Sequence, residues 1–244
     1  MRISRVYIDA ELVGGQVIAL DKAQSHYLKK VLRLKHGAAF FLFNGRAAVD
    51  FEARLLVDGK RLAAEIGAAQ VLTTEAGLSS EVIQGLGRLD RVDWMIQKTT
   101  ELGASRLSIF NAEHSQSPLK PAQLEKKLLH WQGVAISACE QCGRAIIPEI
   151  RFYDRLEQAL EASPDGLKLL LDFDGEPLAA SLRPAPSTIS ILLGPEGGLN
   201  PREVDLATGF GFQPVSLGTR VLRFETAATV ALAVAQSSSG NSAL

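Results

Sequence analysis

The sequence has few of the residues that mark disulfide-rich or metal-binding proteins. It has two cysteines and four histidines in 244 residues, and only 6% of its residues are aromatic. Cys139 and Cys142 lie within a helical pattern, and no second cysteine pair is present to complete a zinc site. None of the histidines shows metal-ligand spacing: His26, His36, His114 and His130. We therefore predict no metal site and interpret both cysteines as structural.

Long apolar runs are also missing. No stretch reaches the roughly 18 apolar residues of a membrane-spanning helix, and the first residues, Met1-Arg2-Ile3-Ser4-Arg5, contain no apolar signal core. We therefore expect a cytoplasmic protein without membrane contact. With 46% hydrophobic and 22% charged residues, the chain can fill one large or two smaller globular domains.

The chain has almost no net charge, but its charges are unevenly distributed. Residues 1–72 carry 11 Lys and Arg against 7 Asp and Glu, a net of +4, and the remaining residues carry a net of −5. A basic first part on a near-neutral chain favours a polyanionic partner for that part alone.

Residues 1–72 are predicted to form a small β-rich, barrel-like module with one helix. Turn signals at Asn44-Gly45 and Asp58-Gly59 separate short strands, and Asp21 can begin a helix that runs to about Leu34. This helix carries five cations, which suit a phosphate backbone as well as they suit a solvated face: Lys22, Lys29, Lys30, Arg33 and Lys35.

Residues 73–236 alternate strand and helix patterns, and residues 237–244 have the composition of a disordered tail. Strands are predicted at 81–86, 106–110, 168–173, 188–193 and 213–217, and helices at 90–102, 121–141 and 225–236. Such alternation is typical of an α/β fold with a mostly parallel sheet covered by helices on both faces.

Two glycine-bearing loops follow strands in the last quarter of the chain. The first is Gly194-Pro195-Glu196-Gly197-Gly198, followed by a helix start with Asn200 as N-cap. The second contains Leu217-Gly218 and then Arg220 and Arg223. Neither loop fits the P-loop or the dinucleotide fingerprint. Because glycine has no Cβ, both loops can bring backbone close to a ligand.

Several segments together resemble the RsmE family of bacterial 16S rRNA uridine-N3 methyltransferases. The two glycine loops match it as Leu-Gly-Pro-Glu-Gly-Gly-Leu and Leu-Gly-x-Arg-Val-Leu-Arg-x-Glu-Thr. Upstream, the segments around His26, Lys98 and Arg144 also match, so the resemblance spans nearly the whole chain. The chain departs from the family pattern at His114, where an arginine is usual, and at Phe224, where a threonine is usual.

The resemblance implies a PUA-like RNA-binding module over 1–72 and a SPOUT methyltransferase domain with a C-terminal trefoil knot over 73–236. It also implies a homodimer that binds S-adenosylmethionine and methylates N3 of a uridine in 16S rRNA of the small ribosomal subunit. The alanine-rich helix near the C-terminus and the 121–141 helix are candidates for the dimer contact.

On this basis we assign residues to three tasks. Cofactor binding is assigned to Leu171, Asp172, Leu193, Gly194, Pro195, Glu196, Gly197, Gly198, Leu199, Leu217, Gly218, Val221, Leu222 and Arg223. Catalysis is assigned to Arg88, Lys98, Glu101, Arg223 and Glu225: Lys98 or Arg223 would stabilise a uridine anion, and Glu101 or Glu225 would accept the proton. RNA binding is assigned to Arg2, Arg5, Lys29, Lys30, Arg33 and Arg144.

Three alternative functions are open from the sequence. The first is a SPOUT methyltransferase that acts on another RNA. The second is a non-catalytic, ribosome-associated RNA-binding protein, which the two intact glycine loops argue against. The third is a nucleotide-dependent oxidoreductase using Gly85-x-Gly87, which is disfavoured because Asp90 occupies the third glycine position.

Overall fold

The computed structural model describes residues 4–75 and 77–239, and its chain divides into two compact units. The first unit contains the chain up to Glu75 together with Cys139–Ile147. The second unit contains residues 76–138 and the chain from Pro148 onward. The division after Glu75 lies close to the predicted one after residue 72. The inclusion of Cys139–Ile147 in the first unit was not predicted.

The first unit is a five-stranded sheet with one short helix. Its strands have the order β1-β3-β4-β5-β2, with β1 parallel to β3 and the other pairs antiparallel. Its elements are β1 (Arg5–Tyr7), β2 (Val17–Ala19), α1 (Lys22–His26), β3 (Ala39–Phe43), β4 (Val49–Asp58) and β5 (Arg61–Val71). Apolar side chains on alternate strand positions, such as Phe40, Leu42, Leu55 and Ile66, form its core.

The helix of the first unit is shorter than predicted. Asp21 caps α1, which continues as a π-helical turn over Tyr27–Val31. Arg33 then adopts a left-handed backbone conformation with φ of 54°, which an α-helix cannot accommodate. The helical segment therefore ends before the predicted Leu34.

The second unit contains a six-stranded sheet in which every pair of neighbouring strands is parallel, as predicted. The strand order is β11-β9-β10-β6-β7-β8. The strands are β6 (Ser79–Gly85), β7 (Arg106–Phe110), β8 (Glu149–Tyr153), β9 (Leu167–Pro177), β10 (Thr188–Leu193) and β11 (Gln213–Ser216). In such a sheet, ligands bind beyond the carboxyl ends of the strands.

Six helices accompany this sheet within the described residues. They are α2 (Leu89–Glu101), α3 (Pro121–Cys142), α4 (Leu156–Glu161), α5 (Leu178–Ser181), α6 (Pro201–Gly209) and α7 (Phe224–Ser238). The last four residues of α3 belong to the first unit. Helix α7 contacts α2, β6 and β10, whereas α4 contacts α6, β7 and β8. No helix in the described part of the chain is long and apolar enough to cross a membrane.

Helix α7 extends past its predicted end at Gln236. Ser237 and Ser238, which we place in a C-terminal tail, form its last residues. The backbone N–H of Ser239, the C-cap residue, donates to the carbonyls of Ala235 and Gln236 and closes the last turn of the helix. Residues 240–244 of the predicted tail lie outside the described residues.

Candidate active site

A cavity of about 630 Å³ opens in the second unit at the carboxyl ends of β10 and β11 and beside residues 171–173 in the middle of β9. All the predicted cofactor residues except Leu199 line it, at positions 171–172, 193–198, 217–218 and 221–223. The structure therefore brings both glycine-bearing loops to one place. Leu199 does not line the cavity, because its half-buried side chain packs against the hydrophobic core that includes Ile83 and Phe110. Its assignment to the cofactor stays a prediction.

The first glycine loop (residues 194–198) makes a turn that requires glycine at positions 194 and 198. The Gly198 N–H donates to the carbonyl of Pro195 at 2.9 Å, and Gly198 has a left-handed φ of 70°. A Cβ on Gly194 would lie 2.7 Å from the backbone carbon of Gly198 and from the nitrogen of Leu199. Glycine at 194 therefore allows the two ends of the turn to meet.

Gln84 fixes this loop to the centre of the sheet. Its fully buried amide Nε2 donates to the carbonyls of Gly85 at 2.9 Å and Gly194 at 2.8 Å. A Cβ on Gly85 would lie 2.6 Å from the Pro195 ring, so the last residue of β6 must also be small. Sequence reasoning missed Gln84, although a polar residue near the end of an apolar strand was a usable signal.

Glu196 connects the same loop to the start of α2. Its Oε1 accepts a hydrogen bond of 3.0 Å from the backbone N–H of Arg88, the N-cap residue of α2. The first N–H groups of a helix have no partner within the helix and attract negative charge. Glu196 therefore fixes the backbone of Arg88, a predicted catalytic residue that lines the cavity.

Phe224 fills space that Gly87 leaves open. A Cβ on Gly87 would lie 2.5 Å from Cε1 of Phe224 and 2.6 Å from Oε2 of Glu196. Phe224 is only 6% exposed. The aromatic ring at this position, which departs from the family pattern, thus packs between the cavity wall and the start of α2.

Glu225 is the buried carboxylate of the cavity wall. It is 4% exposed, and its Oε1 lies 3.3 Å from Nη1 of Arg91 on α2. Arg91 also lines the cavity and was missed in the sequence, because nothing in the local pattern pairs residues so far apart along the chain. Of the predicted catalytic residues, Arg88, Arg223 and Glu225 lie on the cavity.

Lys98 and Glu101 do not line this cavity. Nζ of Lys98 is 2.9 Å from both carboxylate oxygens of Glu101, and both side chains are partly exposed. The structure does not bring them together with Arg223 and Glu225. Their catalytic assignment stays a prediction.

The cations predicted to bind RNA have contrasting environments in the first unit. Lys29, Lys30 and Arg33 are exposed, whereas Arg2 lies outside the described residues. Arg5 and Arg144 are corrections, because both are buried, at 8% and 5% exposure. A guanidinium that is enclosed and hydrogen-bonded within the protein is not presented to a phosphate backbone.

Arg5 is held by four hydrogen bonds. Its Nε and Nη2 donate to the carboxylate of Asp50 at 2.7 and 2.6 Å, and it also donates to the carbonyls of Cys139 and Arg144. Arg144 Nε in turn donates to Glu75 at 3.1 Å. Glu75 also accepts from the backbone N–H groups of Ala145 and Ile146. These bonds explain why Cys139–Ile147 belongs to the first unit.

We expect Arg5→Met to lower the free energy of unfolding by about 3–5 kcal/mol, because it leaves the Asp50 carboxylate buried without its partner. Arg46→Met is the matched control. Arg46 pairs with Asp9 at 2.8 Å, but both side chains are more than 60% exposed, so its loss should cost less than about 1 kcal/mol. Urea unfolding of the two variants measures the difference. Equal effects would contradict the structural role of Arg5.

The two cysteines are free thiols at the end of α3. Burial raises the pKa of the Cys139 thiol to about 12, so it is protonated at neutral pH and a poor nucleophile. Within residues 4–75 and 77–239, no cluster of three or more His, Cys, Asp or Glu side chains is arranged to hold a metal ion.

The fold and both units are those of RNA methyltransferases. The RNA methyltransferase domain family matches residues 74–236, and the RNA methyltransferase PUA domain family matches residues 20–66. Ribosomal RNA small subunit methyltransferase E of Buchnera aphidicola (from Schizaphis graminum) is 31% identical over 236 residues, covering 96% of each chain. The chain belongs to the ribosomal RNA small subunit methyltransferase E family, which confirms the resemblance found in the sequence.

Two solved structures resemble the whole chain. Ribosomal RNA small subunit methyltransferase E from Neisseria gonorrhoeae, bound to S-adenosyl methionine, is 32% identical with a TM-score of 0.88. A methyltransferase structure from Legionella pneumophila, in complex with the bound cofactor SAM, is 33% identical with a TM-score of 0.89. Each covers 97% of this chain and 98% of its own.

Proposed function

We propose that this protein transfers a methyl group from S-adenosylmethionine to N3 of a uridine in 16S rRNA of the small ribosomal subunit. The observation that carries the proposal is the cavity formed jointly by the two glycine-bearing loops, in a chain that belongs to this family. A methyltransferase that acts on another RNA would use the same cofactor cavity and would differ in the nucleoside that it methylates.

The cavity suits a cofactor of this size and chemistry. Its volume of about 630 Å³ lies within the 300–1,000 Å³ range that is usual for small-molecule sites. Backbone of residues 194–198 and 217–223 supplies donors and acceptors for a purine edge, with Leu171 and Asp172 on a further side. When bound, S-adenosylmethionine supplies an electrophilic methyl group on its sulfonium.

Side chains of the protein would accept the N3 proton and stabilise the negative charge of the uracil ring. Methylation at N3 requires that the N3 proton leave and that the resulting anion be stabilised. We assign proton acceptance to Glu225, because its carboxylate lies on the cavity wall, whereas Glu101 does not line the cavity. Arg223 lies on the same wall and would stabilise the negative oxygens of the ring.

The exposed cations of the first unit are proposed to contact RNA phosphates. Lys29, Lys30 and Arg33 lie on the helical segment and at its end. The triple variant with glutamine at these positions should bind small-subunit RNA more weakly, and the slope of log K against log salt should flatten by about 0.7 per lost contact, roughly 2 in total. Filter binding at several salt concentrations measures this slope.

A charge-matched control separates these contacts from the effect of net charge. Arg54, Lys60 and Arg61 are equally exposed cations of the same unit, on or beside β4 and β5. Their triple replacement by glutamine should change the slope much less. If both triple variants flatten it equally, the helical cations do not form a distinct RNA contact.

We also propose finer features of the fold and of the assembly. The family supports a PUA-like barrel for the first unit, a C-terminal trefoil knot around the two loops of the cavity, and a cytoplasmic homodimer. Helices α2 and α7 pack on each other. Three of their apolar side chains remain partly exposed: Leu89 and Trp94 on α2 and Val230 on α7. Such surface suits a contact with a second copy of the chain.

The decisive test is mass-spectrometric mapping of methylated nucleosides in small-subunit RNA incubated with and without the protein and S-adenosylmethionine. We expect one additional N3-methyluridine. Methylation of a different nucleoside would indicate another RNA substrate. Calorimetry that detects no cofactor binding would instead favour the non-catalytic RNA-binding alternative.

A further inference from the structure

We propose that His114 is a positioning residue that holds the first glycine loop in the conformation that binds the cofactor. The inference rests on the proposed function, because it assigns that loop to S-adenosylmethionine. His114 belongs to the connection between β7 and α3, of which residues 111–119 are here called the strap. It does not line the cavity, and it contacts the loop at Gly197 and Gly198.

The contact is a hydrogen bond from the imidazole to the loop backbone. Nδ1 of His114 lies 3.0 Å from the carbonyl oxygen of Gly197 and 3.3 Å from that of Gly198. Carbonyl oxygens only accept, so Nδ1 must carry the hydrogen and share it between them. The strap thereby fixes both the tautomer of His114 and the direction of two consecutive carbonyls in the cavity wall.

The close approach of the strap explains why residue 197 is a glycine. A Cβ on Gly197 would lie 2.9 Å from Cβ of His114, which is closer than real Cβ contacts. Gly197 has no left-handed backbone that would require glycine, unlike Gly198 with its φ of 70°. The second glycine of the loop therefore allows the strap to approach.

The strap is itself rigidly closed. The Asn111 side chain accepts from the N–H of Leu119 at 2.9 Å and donates to its carbonyl at 3.2 Å, so one side chain joins both ends. Ser115, which is buried, accepts from the N–H of Ala112 at 3.0 Å. These bonds restrain the backbone on both sides of His114.

A second bond connects the strap to the helix that follows the glycine loop. The N–H of Glu113 donates to Oε1 of Glu203 at 3.0 Å, and Oε2 of Glu203 accepts from the N–H of Asn200, the N-cap of α6. The strap therefore contacts the loop at Gly197 and Gly198 and the helix that follows it through Glu203. Gln84 holds the loop at Gly194, and the strap holds it at Gly197 and Gly198. A loop held at both ends loses less conformational freedom when it binds a ligand.

Calorimetric titration with S-adenosylmethionine tests the inference. We expect His114→Ala to weaken cofactor binding by about fivefold to tenfold, the effect of one lost hydrogen bond to the loop. In steady-state assays KM for the cofactor should rise while kcat changes little, since the strap does not contact the reacting groups. His114→Asn keeps an N–H donor near the position of Nδ1 and should restore binding.

Controls separate positioning from general loss of structure. Gln116→Ala removes another exposed side chain of the strap and should bind the cofactor as the wild type does. All three variants should keep the wild-type melting temperature. Nitrogen-15 spectra of the wild type should show His114 with its hydrogen on Nδ1.

The outcomes distinguish the two proposals. If the wild type binds S-adenosylmethionine and His114→Ala binds it equally well, or if His114→Asn is as weak as His114→Ala, the positioning role is wrong. If the wild type does not bind S-adenosylmethionine, the proposed function itself fails.

Discussion

Gly194→Ala will remove most of the affinity for S-adenosylmethionine while the protein still folds. The added methyl group would lie 2.7 Å from backbone atoms of Gly198 and Leu199, and backbone cannot move aside as a flexible side chain can. Overpacking of this kind typically costs about 1–3 kcal/mol. If that cost falls on the loop, cofactor affinity falls on the order of 10- to 100-fold. Isothermal titration calorimetry measures it.

Gly133→Ala is the matched control. Gly133 lies within α3, and a Cβ there would meet nothing within 4 Å. Alanine is the better helix former by about 1 kcal/mol, so this variant should be slightly more stable and should bind cofactor normally. Unaltered cofactor affinity in Gly194→Ala would mean that this turn does not form the pocket wall.

Glu225→Gln should lower kcat by about 10²- to 10⁴-fold, the usual contribution of a general base, with little change in cofactor affinity. The amide keeps the shape of the side chain but cannot accept the N3 proton. Because Glu225 is 4% exposed and faces Arg91, the substitution also leaves the Arg91 guanidinium with Asp90, at 3.6 Å, as its charged partner. Single-turnover assays with small-subunit RNA and labelled S-adenosylmethionine measure the chemical step.

Two further variants sharpen this prediction. Glu161→Gln alters an exposed carboxylate at the end of α4 and should retain the wild-type rate. Glu101→Gln decides between the two candidate bases. A large loss of rate in Glu101→Gln, with a normal rate in Glu225→Gln, would reverse the assignment.

Local patterns in the sequence predict the parts of the fold that depend on neighbouring residues. The strands at 106–110 and 188–193 have the predicted bounds, and α6 begins after the predicted N-cap Asn200. The glycine loops are also recognisable, because their composition restricts backbone conformation directly. By contrast, β8 was missed, since Glu149-Ile150-Arg151-Phe152-Tyr153 alternates charge with apolar residues in only five positions.

The features that sequence reasoning could not supply depend on residues far apart in the chain. Arg5 looks like any surface cation until Asp50 and the carbonyls of Cys139 and Arg144 enclose it. Glu225 gains its partner only when α2 and α7 pack together. Leu199 follows the glycine loop directly, yet its half-buried side chain packs against the core. Periodicity and composition carry no information about such pairings.

The hydrogen bonds around Arg5 set an order of events during synthesis on the ribosome. Arg5 needs the carbonyls of Cys139 and Arg144, which lie 134 and 139 residues later. The N-terminal unit therefore cannot complete its polar interior until the chain has been translated past these residues. A truncated fragment that stops at residue 75 would keep Arg5 and Asp50 but lack two of the acceptors. For the same reason, an excised first unit would keep these two acceptors only if residues 139–147 were linked to it.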